Sequence, residues 1–172
     1  MARATFVKAA RKDYPDHGIK KGESYYWWAF MSGGCGGAKR YSKEKPKPSQ
    51  LTQSEFWGEV YGIQEDAETE PDFDDIESQI EDLKSRLEDV RDTTQEKYDN
   101  LPDSLQNGSS GELLQGRVDA LDEAISSLES VDVSIDLGDV KEDSDEAVDL
   151  KSARVAEVWG EVQSALSGIS CE

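Results

Sequence analysis

The sequence predicts an α+β protein that is mostly α: a small basic N-terminal β-hairpin module followed by an elongated acidic helical hairpin or bundle with coiled-coil-like seams. Three observations indicate this fold. An aromatic stretch, SYYWWAF at 24–30, is followed by glycines and then by a basic, strand-like run. Apolar residues recur at spacings of three and four through most of the remaining chain. Hydrophobic residues make up 35% of the chain and charged residues 33%, which favours helices with narrow apolar seams over one large core.

The charge distribution divides the chain into the same two parts. Residues 1–50 contain 11 Lys and Arg against 4 Asp and Glu, a net charge of +7. Residues 51–172 contain 8 against 34, a net charge of −26, and the two parts together give the −19 of the whole chain. The segment KEKPKPS at 43–49 predicts an extended linker, because proline removes a backbone donor and disfavours helix in the residue before it. We therefore predict two modules, 1–48 and 49–172.

Two strands are predicted in the basic module, at 24–31 and about 38–43, joined by a loose connection through the glycines of SGGCGG. Side chains of a strand alternate between its two faces. Tyr25, Trp27 and Met31 should therefore point one way, and Tyr26, Trp28 and Phe30 the other. The rings either fill a two-layer core or leave one face for a ligand.

Apolar periodicity predicts helices at about 53–67, 71–99, 112–130 and 145–169, and a short strand at 131–137, where VDVSIDL alternates strictly. Two of the helical seams run through Phe73, Ile76, Ile80, Leu83, Leu87 and Val90, and through Val148, Val155, Val158, Val162, Leu166 and Ile169. At about 1.5 Å per residue the 71–99 helix would be roughly 43 Å long. This length predicts an elongated body, or a homo-oligomer in which the seams form a coiled coil with a second chain.

The aromatic strand is surrounded by cations, and this composition suits nucleic acid, since lysine and arginine bind phosphates while rings stack on bases. An acidic protein surface is the alternative ligand, since its carboxylates would bind the same lysines and arginines. No RNP or zinc-finger pattern accompanies them. The candidate binding residues are Lys20, Lys21, Tyr26, Trp28, Phe30, Lys39, Arg40, Tyr41 and Lys43.

An acidic run at 65–82 contains ten Asp and Glu and no Lys or Arg. If helical, it carries one charge per about 2.7 Å, against about 1.7 Å for duplex DNA. It is interpreted in three ways: a nucleic-acid mimic that occupies the basic groove of an enzyme, a solvated helix face, or an internal competitor for the basic module. The candidate partner-facing residues are Glu65, Asp66, Glu68, Glu70, Asp72, Asp74, Asp75 and Glu77.

No metal, cofactor or catalytic site is predicted. His17, Cys35 and Cys171 are too few and too scattered for a structural zinc site, and stretches that begin like a calcium loop lack its sixth-position glycine. A single histidine and the absence of a phosphate-loop pattern argue against an enzyme. Two isolated cysteines favour a reducing compartment, and no apolar run approaches the roughly 18 residues of a membrane span. We therefore predict a cytoplasmic protein without a membrane partner.

The pattern GIKKGESYYWWAF…AKRYSK resembles the arm-type DNA-binding sheets at the N-termini of tyrosine recombinases, which also place an aromatic strand before a glycine turn and a basic strand. The resemblance covers about 30 residues, and the recombinase catalytic domain is absent. A basic head on an acidic helical body also resembles accessory proteins of tailed bacteriophages. That resemblance implies the host cytoplasm as the location, and it implies no activity.

These observations predict a non-enzymatic binding or adaptor protein. Its aromatic basic head would contact nucleic acid or an acidic surface, and its helices would mediate assembly or partner docking. One alternative is an acidic DNA mimic that inhibits a host nucleic-acid-binding enzyme, as phage anti-defence or host-takeover proteins do. Another is a structural coiled-coil component that the head merely anchors.

Overall fold

The computed structural model describes residues 1–32, 35–135 and 144–169. The protein is α+β, with 59% helix and 11% strand, and its antiparallel sheet precedes the helices. The predicted fold class is thus confirmed. Two compact units are present, an N-terminal unit, Met1–Gly62, and a C-terminal unit, Ile63–Glu172.

The division between the units differs from the predicted boundary at 48–49 because the Lys/Pro segment is part of the N-terminal unit. Pro46 is buried. The indole N–H of Trp28 donates to the carbonyl of Gln50 at 3.1 Å, just after that segment. The backbone N–H of Ala2 donates to the carbonyl of Leu51 at 2.6 Å. These contacts tie the segment to the N-terminal unit, so it is not a free linker.

Within the described residues, β1 (Thr5–Val7), β2 (Tyr25–Ser32) and β3 (Cys35–Ser42) form one antiparallel sheet in the order β1-β2-β3. The two strands of the predicted hairpin are present, but β3 begins three residues early, because Gly36 and Gly37 belong to the strand instead of the connection. Residues 33 and 34, where the rest of the predicted loose connection falls, lie outside the described residues. Strand β1 was not predicted, since three residues are too few to display an alternating pattern.

The pairing of β2 with β3 shifts register between Ala29 and Met31. Ala29 pairs with Lys39 and Met31 pairs with Gly36, so two residues of β3 lie opposite Phe30. This is a β-bulge, which bends a strand and re-aims the neighbouring side chains. A Cβ at Gly37 would overlap the carbonyl oxygen of Phe30, so the bulge requires glycine at that position.

The described part of the chain contains helices α1 (Glu55–Asp66), α2 (Ile76–Asp99), α3 (Asp103–Gln106), α4 (Ser109–Glu129) and α5 (Asp145–Ser167). In the C-terminal unit α4 packs against both α2 and α5. The α2 seam is buried at Ile76, Ile80, Leu83, Leu87, Val90 and Thr94. Because α2 and α4 cover these apolar stripes within one chain, the stripes do not require a second chain. Homo-oligomerisation remains a prediction.

Helix α2 begins at Ile76, five residues later than predicted. Asp side chains favour turns over helix interiors, and the N–H of Asp75 donates to the carbonyl of Asp72 at 3.1 Å in an isolated turn. Phe73 therefore precedes the helix, and its ring lies 5.5 Å from the Nζ of Lys151. The loop predicted at 101–111 contains α3 and the first residues of α4.

The strand predicted at 131–137 is wrong over 131–135, which form no strand, and the remaining two residues lie outside the described part. The Asp132 carboxylate accepts the N–H of Ser134 at 2.9 Å, a turn that competes with extended structure. This hydrogen bond also holds the pKa of Asp132 below its ordinary value. Arg154 donates to the carbonyl of Asp132 at 2.7 Å and thereby fixes the turn.

A pair of glycines in α4 tests the packing of α3 against it. A Cβ at Gly111 would overlap the backbone of Gln106, whereas nothing lies within 4 Å of a Cβ at Gly116. We expect Gly116→Ala to raise the free energy of unfolding by up to about 1 kcal/mol, since alanine favours helix. Gly111→Ala should lower it by about 1–3 kcal/mol through overpacking. Chemical denaturation followed by circular dichroism measures both, and a stabilising Gly111→Ala would contradict the close approach.

Candidate nucleic-acid interface

The strand register assigns the aromatic residues of the sheet to two faces. Residues directly opposite each other in an antiparallel pair share a face. The pairs Phe6–Tyr26, Tyr26–Ser42 and Trp28–Arg40 define one, which we call the Phe6 face. The pairs Val7–Tyr25, Trp27–Tyr41 and Ala29–Lys39 define the other, the Tyr25 face.

The Tyr25 face is packed against the chain that precedes β2. Its core consists of Ala10, Ile19 and Tyr25, with Val7, Tyr14, Trp27 and Tyr41 partly buried against it. The Tyr14 ring lies 5.6 Å from that of Tyr25 and 4.9 Å from that of Tyr41. A hydrogen bond with the Tyr14 hydroxyl and then burial raise the pKa of Tyr25. Tyr41, predicted as a binding residue, is therefore a half-buried member of a packed aromatic cluster.

The Phe6 face presents rings from two strands and a cation from the third. Phe6 is 56% exposed, and its ring centroid lies 5.0 Å from that of the half-buried Tyr26. The exposed guanidinium of Arg40 lies 5.2 Å from the centroid of the half-buried Phe30 ring. Three predicted residues, Tyr26, Phe30 and Arg40, thus share a face with an exposed phenylalanine.

Sequence reasoning missed Phe6, and it did not anticipate that Trp28 is buried. Trp28 lies on the Phe6 face but is only 4% exposed, and its N–H is bonded to the Gln50 carbonyl. In this structure its ring is covered and contributes to packing, so a ligand could reach it only if the Gln50 contact opened. No pattern in TFV at 5–7 identifies Phe6, since only the pairing with β2 places it beside Tyr26.

The predicted lysines lie at different places around the sheet, and all are exposed. Lys39 is on the Tyr25 face, with its Nζ 4.5 Å from the Trp27 ring centroid. Lys43 forms an ion pair with Glu23 at 3.0 Å. The backbone N–H of Lys20 also donates to Glu23, and this bond, followed by that of Lys43, lowers the pKa of Glu23. The backbone N–H of Lys21 donates to Asp13 at 2.6 Å, so this loop is held by hydrogen bonds.

The charge of each unit follows from its boundary. Met1–Gly62 contains 11 Lys and Arg against 6 Asp and Glu, a net charge of +5. Ile63–Glu172 contains 8 against 32, a net charge of −24. The Phe6 face therefore belongs to the basic unit of an acidic chain, and the cations of that unit favour anions close to it.

The acidic run at 65–82 is not one continuous helix, although the comparison of its charge density with that of duplex DNA assumed a helix. Residues 67–75 are outside the helices, between α1 and α2. Asp66 is bonded to Arg86 at 2.8 Å, so part of its charge is neutralised within the chain. Of the eight predicted partner-facing residues, Glu65 is half-buried and the other seven are exposed. The exposed residues are Asp66, Glu68, Glu70, Asp72, Asp74, Asp75 and Glu77. The mimic interpretation stays a prediction without the regular spacing on which it depended.

The rest of the described surface was compared with the requirements of a metal site, a ligand cleft and a membrane span. No group of three or more His, Cys, Asp and Glu side chains there is placed to hold a metal ion. A cleft of about 530 Å³ between α4 and α5 is lined mainly by alanine and serine, with Glu123 and Glu161 among its walls. None of the described helices combines the length and apolar composition needed to span a membrane.

Comparison of the chain with known proteins finds no matching family model, no matching curated protein and no matching solved structure. The resemblances to recombinase arm-type sheets and to phage accessory proteins therefore remain predictions. A function has to be inferred from the residues of the Phe6 face.

Proposed function

We propose that the N-terminal unit binds nucleic acid through the Phe6 face, and that the protein acts as a binding or adaptor protein without catalytic chemistry. The observation that supports this most is an exposed phenylalanine beside Tyr26, on the same face as Arg40 and Phe30. An exposed ring and a guanidinium on one face match both parts of a nucleotide, because a base can stack on Phe6 while a phosphate pairs with Arg40.

An acidic protein surface is the weaker candidate for the same face. Such a partner would pair with the cations, but an acidic surface supplies no base planes on which the rings could stack. Rings and cation together favour nucleic acid. The net charge of +5 of the unit favours either anionic partner at short range, so charge alone does not distinguish them.

Two adjacent cations on opposite faces provide a matched test. Arg40 lies on the Phe6 face and Lys39 on the Tyr25 face, and each substitution by glutamine removes one positive charge. We expect Arg40→Gln to weaken nucleic-acid binding about 10-fold and to reduce the slope of log affinity against log salt by about 0.7–0.9. Lys39→Gln should have a smaller effect, since it changes only long-range attraction.

Fluorescence anisotropy of labelled mixed-sequence oligonucleotides with the full chain measures these effects over a range of salt concentrations. Polyglutamate serves as the control polymer, because it carries charge without bases. Equal losses for both variants would place binding elsewhere than on the Phe6 face. Competition by polyglutamate as effective as that by oligonucleotide would assign the face to acidic proteins instead.

A further inference from the structure

We propose that the Phe6 face takes unpaired bases, so that its ligand is a single strand of DNA or RNA and not a duplex. This inference rests on the proposed function and names its substrate class. Three features of the face carry it: the kind of side chains it presents, the separation of its rings along β2, and the bulge beside Phe30.

The side chains of the Phe6 face are suited to base planes and not to base edges. In a duplex the bases stack on one another, and a protein reads their edges in the grooves with hydrogen-bonding side chains. The register places the polar groups of Arg40, Ser42 and Tyr26 on this face, and the N–H of Trp28 is already bonded to the Gln50 carbonyl. The exposed ring of this face is Phe6, at 56%, and a ring lies flat on a base only where that base is unstacked from its neighbours, as in a single strand.

The rings lie at two separate positions along β2. Phe6 and Tyr26 form the first, with ring centroids 5.0 Å apart and planes tilted by 48°. Phe30 with Arg40 forms the second. Phe30 lies four positions after Tyr26 in β2, about 13 Å away at roughly 3.3 Å per residue. Four-stranded RNA-binding sheets with surface aromatics stack two or three bases, and the smallest sites of single-strand binders span about 4 nucleotides.

The bulge at the second position is the third feature. Bulges are frequent beside binding sites, where they re-aim a side chain. Here the register shift falls at Phe30 itself, and Gly37 allows β3 to approach the Phe30 carbonyl more closely than any residue with a Cβ could. The sequence thus uses a glycine to place the second ring next to Arg40.

The test varies the ligand and leaves the protein unchanged, so that folding is not at issue. Anisotropy titrations of the full chain use labelled oligothymidylates of about 2 to 12 nucleotides, the same lengths with abasic sites, and a blunt duplex of about 12 base pairs. We expect the single strand to bind about 10-fold or more tightly than the duplex, with affinity rising steeply up to about 4 nucleotides. Abasic strands, which keep every phosphate, should lose about 10-fold or more.

The outcomes separate this inference from the proposed function. Duplex binding equal to or tighter than single-strand binding, with abasic strands as good as intact ones, would overturn the single-strand assignment while the face remains a nucleic-acid site. Failure to bind any of these ligands at low salt would overturn the proposed function itself. Preference for intact single strands supports both.

Discussion

Replacing Trp159 by alanine is expected to lower the free energy of unfolding of the C-terminal unit by about 3–5 kcal/mol. The indole is 1% exposed and is among the largest fully buried side chains. Its N–H donates to the Ala67 carbonyl at 2.9 Å, which connects α5 to the residue that follows α1. Alanine therefore leaves a cavity and removes that connection. Urea denaturation followed by circular dichroism measures the change.

Two control variants separate the ring from its hydrogen bond. Trp159→Phe keeps most of the apolar volume, and the Ala67 carbonyl still accepts from the side-chain amide of Gln163 at 2.8 Å, so we expect a loss of about 1–2 kcal/mol. Val148→Ala, at a residue 61% exposed in the same helix, should change stability by less than about 0.5 kcal/mol. A Trp159→Ala variant as stable as Val148→Ala would contradict the packing of α5.

Val148 and Trp159 also show where the periodicity of the sequence misleads. Val148 was placed in the α5 seam, whereas Trp159 was not, and their burial is the reverse. A seam drawn with spacings of three and four assumes one narrow contact stripe. The indole of Trp159 donates to the Ala67 carbonyl, so α5 has a second contact besides its contact with α4. Val148 belongs to the first turn of α5. Periodicity identified the helix and most of its buried side, but it could not show the second contact.

Other parts of the fold were unpredictable for similar reasons. Helices longer than ten residues were predicted because local spacing is repeated many times within them. Strand β1 has three residues and forms only through its pairing with β2. The position of the Lys/Pro segment is set by contacts with residues distant in sequence, such as the bond between Trp28 and Gln50. The residues at 131–135 alternate as a strand does, but the Asp132–Ser134 hydrogen bond produces a turn.

The candidate interface was predictable only in part. Alternation along β2 correctly grouped Tyr26, Trp28 and Phe30, since that depends on one strand alone. Which of these rings is covered depends on the Gln50 carbonyl, twenty-two residues beyond Trp28. Which cation joins the rings depends on the register of β3, which assigns Arg40 to their face and Lys39 to the other.

The double substitution Phe6→Ala with Phe30→Ala is expected to weaken single-strand binding by about 2 kcal/mol or more, roughly 30-fold. It removes one ring from each stacking position and leaves every cation of the N-terminal unit in place. The salt dependence of binding should therefore stay close to that of the unsubstituted protein, while the affinity falls at all salt concentrations. Phe6 is 56% exposed, so its loss should cost little stability.

Trp28→Phe is the matched control, because it alters an aromatic residue of the same face that is buried. It removes the N–H that donates to the Gln50 carbonyl and part of the buried ring, so we expect a loss of about 1–3 kcal/mol of stability and an unchanged affinity of the folded protein. Circular dichroism confirms folding of both variants before anisotropy is measured. If Trp28→Phe weakened binding while the double variant bound normally, the stacking ring would be Trp28, and the Phe6 face would have to open at Gln50 to expose it.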